Sequence, residues 1–429
     1  MFTLSPQHER SNALCLYQDI FWMGAAFVLD WYFLQVYAIR LGATALDLGL
    51  LTSLRAFFMV IGSTLSNRWR ARYRNPVAAL AIPTLAYRVL LLLVPALIVY
   101  LPPAGRVNGL IVTVILSALP TGIAQGVFLG MMRYALTESG LARVVARRSI
   151  LMNITVLIWA LAFGQFFEHS AFPGNYQVGF VIAFGASVFS LWNVLRVKTP
   201  DSVVASVLDT PHPQPLSPQG GQGHKSLNVW KNAAFVRFSV IVVAVNLSVF
   251  MAAPLVQLHL VRGLGADDGW ISFFGMFEMV AGAIPMLRID WLTRRFGNAR
   301  LTVIAAFFTA LHTLILALTP ILAPYLLAVL LYGAGWWVVN VVLYNWLVDI
   351  VPHEHFAPYA AAFQILINAS LFVGPLIGTL LIENWMSIPM ALLVITACRF
   401  GASLLAWLLV RGKLPKSDKP VIEAQETLS

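Results

Sequence analysis

The sequence predicts an all-α membrane protein, with twelve transmembrane helices in two pseudo-symmetric six-helix bundles, and three observations carry the prediction. The 429 residues are 59% hydrophobic and only 11% charged, too little polar surface to cover a water-soluble globule of that size. Apolar runs of about 20 residues, the length that crosses a bilayer as a helix, recur along the chain between short polar breaks. A polar stretch rich in Pro, Gly and Gln divides those runs into two sets of six.

At the N-terminus, MFTLSPQHERSNALCL is polar and lacks an apolar core followed by a cleavage site. Residues 1–16 therefore read as a cytoplasmic tail, and the first helix as its own insertion signal. The N-terminal bundle is expected over 17–196, with helices at 17–39, 47–67, 76–100, 107–132, 149–169 and 176–195. Residues 197–233 read as a flexible cytoplasmic linker, because DTPHPQPLSPQGGQGHK (Asp209 to Lys225) has almost nothing apolar to bury. The C-terminal bundle is expected over 234–411, with helices at 235–260, 268–289, 300–319, 321–347, 358–382 and 387–410, and 412–429 form a second cytoplasmic tail.

Basic residues near helix ends are retained in the cytoplasm. With both termini inside, twenty-one of the 28 Lys and Arg fall on the inner side. They include Arg70 and Arg74 after helix 2, and Arg133, Arg143, Arg147 and Arg148 in the predicted loop after helix 4. Arg40, Arg106 and Arg262 fall outside, while Arg55, Arg88, Arg237 and Arg399 lie within helices. The net charge of +10 thus reflects topology and asks for no nucleic acid. Cys15 and Cys398 lie too far apart along the membrane path to form a disulfide, and the His353-Glu354-His355 tract has no second ligand pair for a metal.

The halves resemble each other. Leu41-Gly42-Ala43 after helix 1 matches Leu264-Gly265-Ala266 after helix 7, and LSNRWRARYR (Leu65 to Arg74) aligns with LTRRFGNAR (Leu292 to Arg300). The two anchors differ by four residues in offset, about one helical turn, so the same helix face survives. In the first loop Leu65, Arg68 and Arg72 fit a Gly-x-Leu-x-Asp-Arg-x-Gly-Arg-Arg pattern, with Asn67 in the Asp place; in the second, Leu292, Arg295, Phe296 and Gly297 fit, with Arg294 in the Asp place. On these motifs the chain resembles the major facilitator superfamily over nearly its whole length. The resemblance implies that helices 1, 4, 7 and 10 line a central cavity, that helices 2, 5, 8 and 11 flank it, and that Asn67, Arg68, Arg72, Arg294 and Arg295 belong to gating loops. Helix 4 reads Gly122-Ile-Ala-Gln125-Gly126, without the arginine of the Arg-x-x-Gln-Gly element of the superfamily's proton-coupled drug exporters, which argues against a standard drug antiporter.

An ionised side chain in the bilayer core is costly unless it meets a partner or a wet cavity. Asp30 in AFVLDWYFL lies nine positions before the end of helix 1, and Arg55 eight positions into helix 2. At 1.5 Å per residue the two share a depth of roughly 12–14 Å and can pair. Glu278 in helix 8 has no basic residue at comparable depth on helix 7, which makes it the better candidate proton carrier, with a hydrogen bond to Asn246 or Gln257 as its alternative. Arg88 in helix 3 is a candidate for the same charge network or for a structural role. Arg399 in helix 12 is expected to be structural or to snorkel, and His312 in helix 9 to pack. Trp31 and Gln35 on helix 1, Asn246 on helix 7, and Trp336, Trp337, Asn340 and Tyr344 on helix 10 are candidate cavity residues, since aromatic faces beside amides suit a stacked and hydrogen-bonded solute.

The expected function is secondary active transport of a small organic solute by alternating access, coupled to protons, in a bacterial cytoplasmic (plasma) membrane. A monomer without cofactor or enzymatic activity is expected. Small amphipathic compounds suit an aromatic, mildly acidic lining, and sugars nearly as well. The alternatives are an uncoupled sugar or metabolite facilitator of the same fold and a non-transporting membrane assembly factor on that scaffold.

Overall fold

The computed structural model describes residues 6–199, 229–351, 356–384 and 386–411. The tract Asp209 to Lys225, the His353–His355 tract, residues 1–5 of the predicted N-terminal tail, the whole predicted C-terminal tail and most of the linker lie outside the described residues. Among the described residues, twelve helices are long and apolar enough to span a membrane. They are α1 (Gln7–Arg40), α2 (Ala45–Arg70), α3 (Ala78–Tyr100), α4 (Pro103–Met132), α5 (Arg143–Glu168), α6 (Gly174–Leu195), α7 (Ala233–Gly263), α8 (Asp268–Met286), α9 (Asn298–Leu318), α10 (Tyr325–Ile350), α11 (Pro358–Glu383) and α12 (Ile388–Arg411). Helices satisfy their backbone groups internally, as the hydrocarbon core demands.

Two starts differ from the sequence reading. The first helix already begins at Pro6, inside the stretch read as a tail, because its polar face has partners. Asn12 donates to the carbonyls of Ala135 and Lys198 at 2.9 and 2.8 Å, and Thr137 donates to Glu9 at 2.7 Å. The helix containing α5 begins at Glu138, so Arg148 is helical and not in a loop. Hydropathy misses both starts because their first turns are polar.

The same neighbour pairs occur in each half: α1 packs on α5 and α6 as α7 packs on α11 and α12, and α2 packs on α4 as α8 packs on α10. The halves meet along α2 with α11 and α5 with α8. Gly42 and Gly265, the sequence anchors of the repeat, both have positive φ (103° and 69°). Each ends a helix with a turn that side-chain-bearing residues adopt at a cost.

An even number of crossings puts the described chain ends on one side, here called the terminal side; the α1–α2 turn lies on the far side. One hydrophobic cluster runs through both halves on the far side, from Ala25 to Ile395. On the terminal side the core splits in two. One cluster around Leu16, Leu80 and Met131 belongs to the first half, and another around Phe238, Val339 and Trp346 belongs to the second. The bundle is therefore sealed on the far side and parted on the terminal side.

Candidate functional site: a charged central cavity

A cavity of about 610 Å³ lies between the halves. Asp30 enters it from Leu29–Phe33, a π-helical turn within α1; such turns are frequent at functional sites. Arg55 of α2 donates through both terminal nitrogens to both Asp30 oxygens. A turn nearer the far side, Gln35 Nε2 donates to Thr52 Oγ1 at 3.4 Å. Trp31 stacks on Phe27, centroids 5.7 Å apart, and both line the cavity.

Arg88 precedes a second π-helical turn, Val89–Leu93. Its guanidinium donates to the Ser187 carbonyl and, at 3.0 Å, to Ser190 Oγ. Ser190 donates to Asp19 Oδ1 at 2.6 Å, and Arg148 donates to Asp19 Oδ2 at 2.8 Å. One polar chain thus crosses α3, α6, α1 and α5, and Arg88, Asp19 and Arg148 all face the cavity. Sequence reasoning placed Arg148 in a loop and gave Asp19 no partner. The available signal was that Asp19 and Asp30 share a helix face, so a cation opposite each was to be expected.

Glu278 faces the same cavity from α8. Among the described residues it makes no hydrogen bond or ion pair, and neither Asn246 nor Gln257 reaches it. The hydroxyls of Tyr32, Tyr325 and Tyr332 lie within electrostatic range. Arg399 does not snorkel. It is 2% exposed in the cavity wall and donates to the carbonyls of Ser248, Thr309 and Val249 at 3.2, 2.6 and 3.1 Å. His312 also lines the cavity, with Nε2 2.9 Å from the Tyr325 hydroxyl. Four guanidiniums, those of Arg55, Arg88, Arg148 and Arg399, thus meet three carboxylates, so the lining is cationic and the expectation of a mildly acidic one is corrected.

Of the predicted cavity residues, Trp31, Gln35 and Trp336 line it, and Asn246, Trp337, Asn340 and Tyr344 do not. Asn246 is buried in its bundle and donates to its own helix at the Val242 carbonyl. On α10 the cavity stripe is Tyr325, Val329, Tyr332 and Trp336, in steps of four and three. Trp337 lies one residue off that stripe and packs over Gly282 of α8. Asn340 and Tyr344 continue the stripe one and two turns toward the terminal side, where Asn340 bonds the Trp336 carbonyl and Tyr344 meets Phe356 edge-on. Asn67, Arg68, Arg72, Arg294 and Arg295 are exposed on the terminal side, and Arg72 lies over the Trp69 ring.

Position 122, where the drug exporters carry arginine, has no room for a side chain. A Cβ on Gly122 falls 2.1 Å from the Met59 carbonyl oxygen and 2.7 Å from Ser63 N of α2. The far side is closed by polar bonds between halves. Arg40 lies 2.8 Å from Asp268 Oδ2, Tyr176 donates to Asp268 Oδ1 at 2.5 Å, and Arg262 donates to the carbonyls of Ala43 and Ile39 at 2.7 and 3.2 Å. Asp268 Oδ2 has no aligned hydrogen bond, so its contact with the terminal nitrogen of Arg40 is one of charge alone, and Arg40 Nε is likewise without a hydrogen-bond partner. Among the described residues no group of three or more His, Cys, Asp and Glu side chains converges on a metal position.

Two six-helix bundles around a central charged cavity, closed at one end, define a transporter-type membrane scaffold. The family model described as Major Facilitator Superfamily matches residues 15–375, and the chain belongs to that superfamily. Solved structures agree in fold. The nucleoside transporter NupG, in a mutant form, is 12% identical over 93% of this chain and 100% of its own, with a TM-score of 0.70. A bacterial homologue of the iron transporter ferroportin in the inward-facing state is 12% identical over 95% and 99%, with a TM-score of 0.68. The xylose transporter XylE from E. coli, in an inward open conformation, is 15% identical over 96% of each chain, with a TM-score of 0.61. No curated protein sequence matches.

Proposed function

We propose that this protein moves a small organic solute by alternating access, coupled to protons, with Glu278 as the group that gains and loses the proton. The observation that carries the reading is a carboxylate in the wall of the central cavity with no ionic or hydrogen-bond partner among the described residues. A buried acid held by a permanent cation is fixed as an anion, whereas one without such a partner is free to exchange its proton. Asp30 is the secondary candidate, available only when Arg55 releases it. The hydroxyls of Tyr32 on α1 and of Tyr325 and Tyr332 on α10 lie within electrostatic range of Glu278, and His312 on α9 and Arg399 on α12 line the same cavity.

With the basic terminal side in the cytoplasm, the conformation described is inward-facing. Rocking of the halves about α2, α5, α8 and α11 would close that side and break the Arg40–Asp268–Tyr176 contacts. Superfamily membership and the cavity favour this over a non-transporting assembly factor; an uncoupled facilitator remains the rival within the fold. A ligand found by thermal-shift screening of the purified protein is to be followed into proteoliposomes under an imposed pH gradient. Glu278→Gln should retain ligand binding and exchange but lose gradient-driven accumulation. Full accumulation by this variant and by Asp30→Asn overturns the coupling and leaves the facilitator.

A further inference from the structure

Resting on the reading of the cavity as the solute path, we propose that the solute is an organic monoanion, a carboxylate on a flat ring-bearing body, with its carboxylate directed to Arg399. Most of the cavity's charges are already answered within the protein. Asp30 is taken by both terminal nitrogens of Arg55, and Asp19 by Arg148 and Ser190. Arg88 reaches a carboxylate only through Ser190. Arg399 reaches none: its three bonds go to neutral backbone carbonyls, which uses three of five N–H groups and leaves one on each terminal nitrogen.

Two guanidiniums therefore stand without a directly bonded carboxylate, against one free carboxylate, Glu278, which does not contact either. The surplus is positive, and it grows whenever Glu278 holds a proton. A buried cation without a counter-charge is expensive in a low-dielectric cavity, and an anionic solute is what relieves it. A cationic solute would have to enter against that surplus.

The wall beside Arg399 describes the rest of the solute. His312 lies over Tyr332, ring centroids 4.6 Å apart, and Tyr332 runs parallel to Trp336, with 6° between planes. These rings form an aromatic ladder, suited to a flat body. Three further polar atoms of cavity-lining residues are buried without partners, His312 Nδ1, Gln257 Oε1 and Gln35 Oε1. A solute carrying a hydroxyl or N–H beside its carboxylate would satisfy atoms of this kind.

The test uses the purified full chain in detergent, where no gradient exists. Phenylacetate, phenylbutyrate and indoleacetate are each compared with their amide and amine counterparts by thermal shift and equilibrium binding. The carboxylates should raise the melting temperature and the matched amides and amines should not. Arg399→Gln should weaken carboxylate binding about tenfold or more, the scale of one charge-assisted hydrogen bond. Arg399→Lys, which keeps the charge but loses the fork, should fall between. If the glutamine variant does not fold, the lysine variant and the preference of the wild type itself still decide. Stabilisation by amines or amides equal to that by carboxylates, or by none of the three series, overturns the inference, as does carboxylate affinity unchanged in Arg399→Gln. A chain that binds the carboxylates but fails to accumulate them under a pH gradient would sink the coupling and leave the anion site standing.

Discussion

Asp268→Asn is expected to loosen the far-side seal. Asp268 is 1% exposed and joins α8 to the first half through Arg40 and Tyr176. Asparagine keeps the shape and an acceptor for the Tyr176 hydroxyl, so only the charge is lost. A hydrogen bond to a charged group contributes about 1.5–3 kcal/mol and a neutral one about 0.5–1.5, a difference of about 1 kcal/mol. The pair with Arg40 is unaligned, and the Arg40 side chain is 26% exposed; solvent screening holds its contribution to about 1 kcal/mol. Together these give about 2 kcal/mol, roughly a thirtyfold shift toward the state open on the far side. If that state holds about 1% of the wild type, it should rise to roughly a quarter. Spin labels on the far-side loops 101–102 and 319–324 read the change as a second, longer distance in pulsed dipolar measurements, with exposed Cys398 first replaced so that it takes no label. A distance distribution identical to that of the wild type, in a variant that folds and binds ligand, refutes the assignment of this contact as a seal.

The remaining predictions concern the cavity and its frame. Asp30→Asn strands Arg55 and should cost about 3 kcal/mol, the low end for a broken buried pair because both side chains are about one-fifth exposed. The double variant Asp30→Asn, Arg55→Gln should recover most of that in thermal unfolding, a coupling that a double-mutant cycle isolates. Gly122→Ala places a methyl against the Met59 carbonyl, and α2 must shift. The expected loss is about 1–3 kcal/mol, whereas Gly130→Ala on the same helix meets nothing within 4 Å and should leave the melting temperature within a degree or two of the wild type.

How much of this was legible in the sequence depends on the coordinate being read. Depth along a helix follows from a fixed rise per residue, so counting inward from the α1–α2 turn was enough to bring Asp30 and Arg55 level. Azimuth does not follow so simply. Asn340 and Tyr344 share the stripe of Trp336 and miss the cavity only because they lie nearer the terminal side, but Trp336 and Trp337 differ by about 100° around the axis, and the sequence allows a rotation of α10 that turns Trp337 to the cavity as readily as one that turns Trp336 there. Packing of Trp337 over Gly282 selects the second. Arg148 was missed because a polar helix start resembles a loop when lipid is taken as the only apolar partner. For Arg399 the sequence left a structural and a snorkelling role open, because its partners are backbone carbonyls on two other helices, and those have no sequence signature.

The missing arginine of helix 4 shows how a departure from a family pattern acquires a physical reason. Read alone, Gly122 is an absence, and it argued only against one kind of exporter. In the fold it is a contact. Its bare backbone meets α2 at Met59 and Ser63, while Gly62 of α2 leaves equally little room against Leu119. Two glycines facing each other let the helices approach more closely than any side chain allows. That approach fixes α2, and one turn beyond Met59 on the same helix stands Arg55, facing the cavity and paired with Asp30. In this chain a positive charge faces the cavity from helix 2, and the glycine that leaves no room for a side chain on helix 4 is part of the packing that holds it. The steric and the electrostatic consequences of position 122 should therefore travel together. A side chain there should both destabilise the fold and disturb the Asp30–Arg55 pair, whereas a substitution at Arg55 should leave the α2–α4 contact intact.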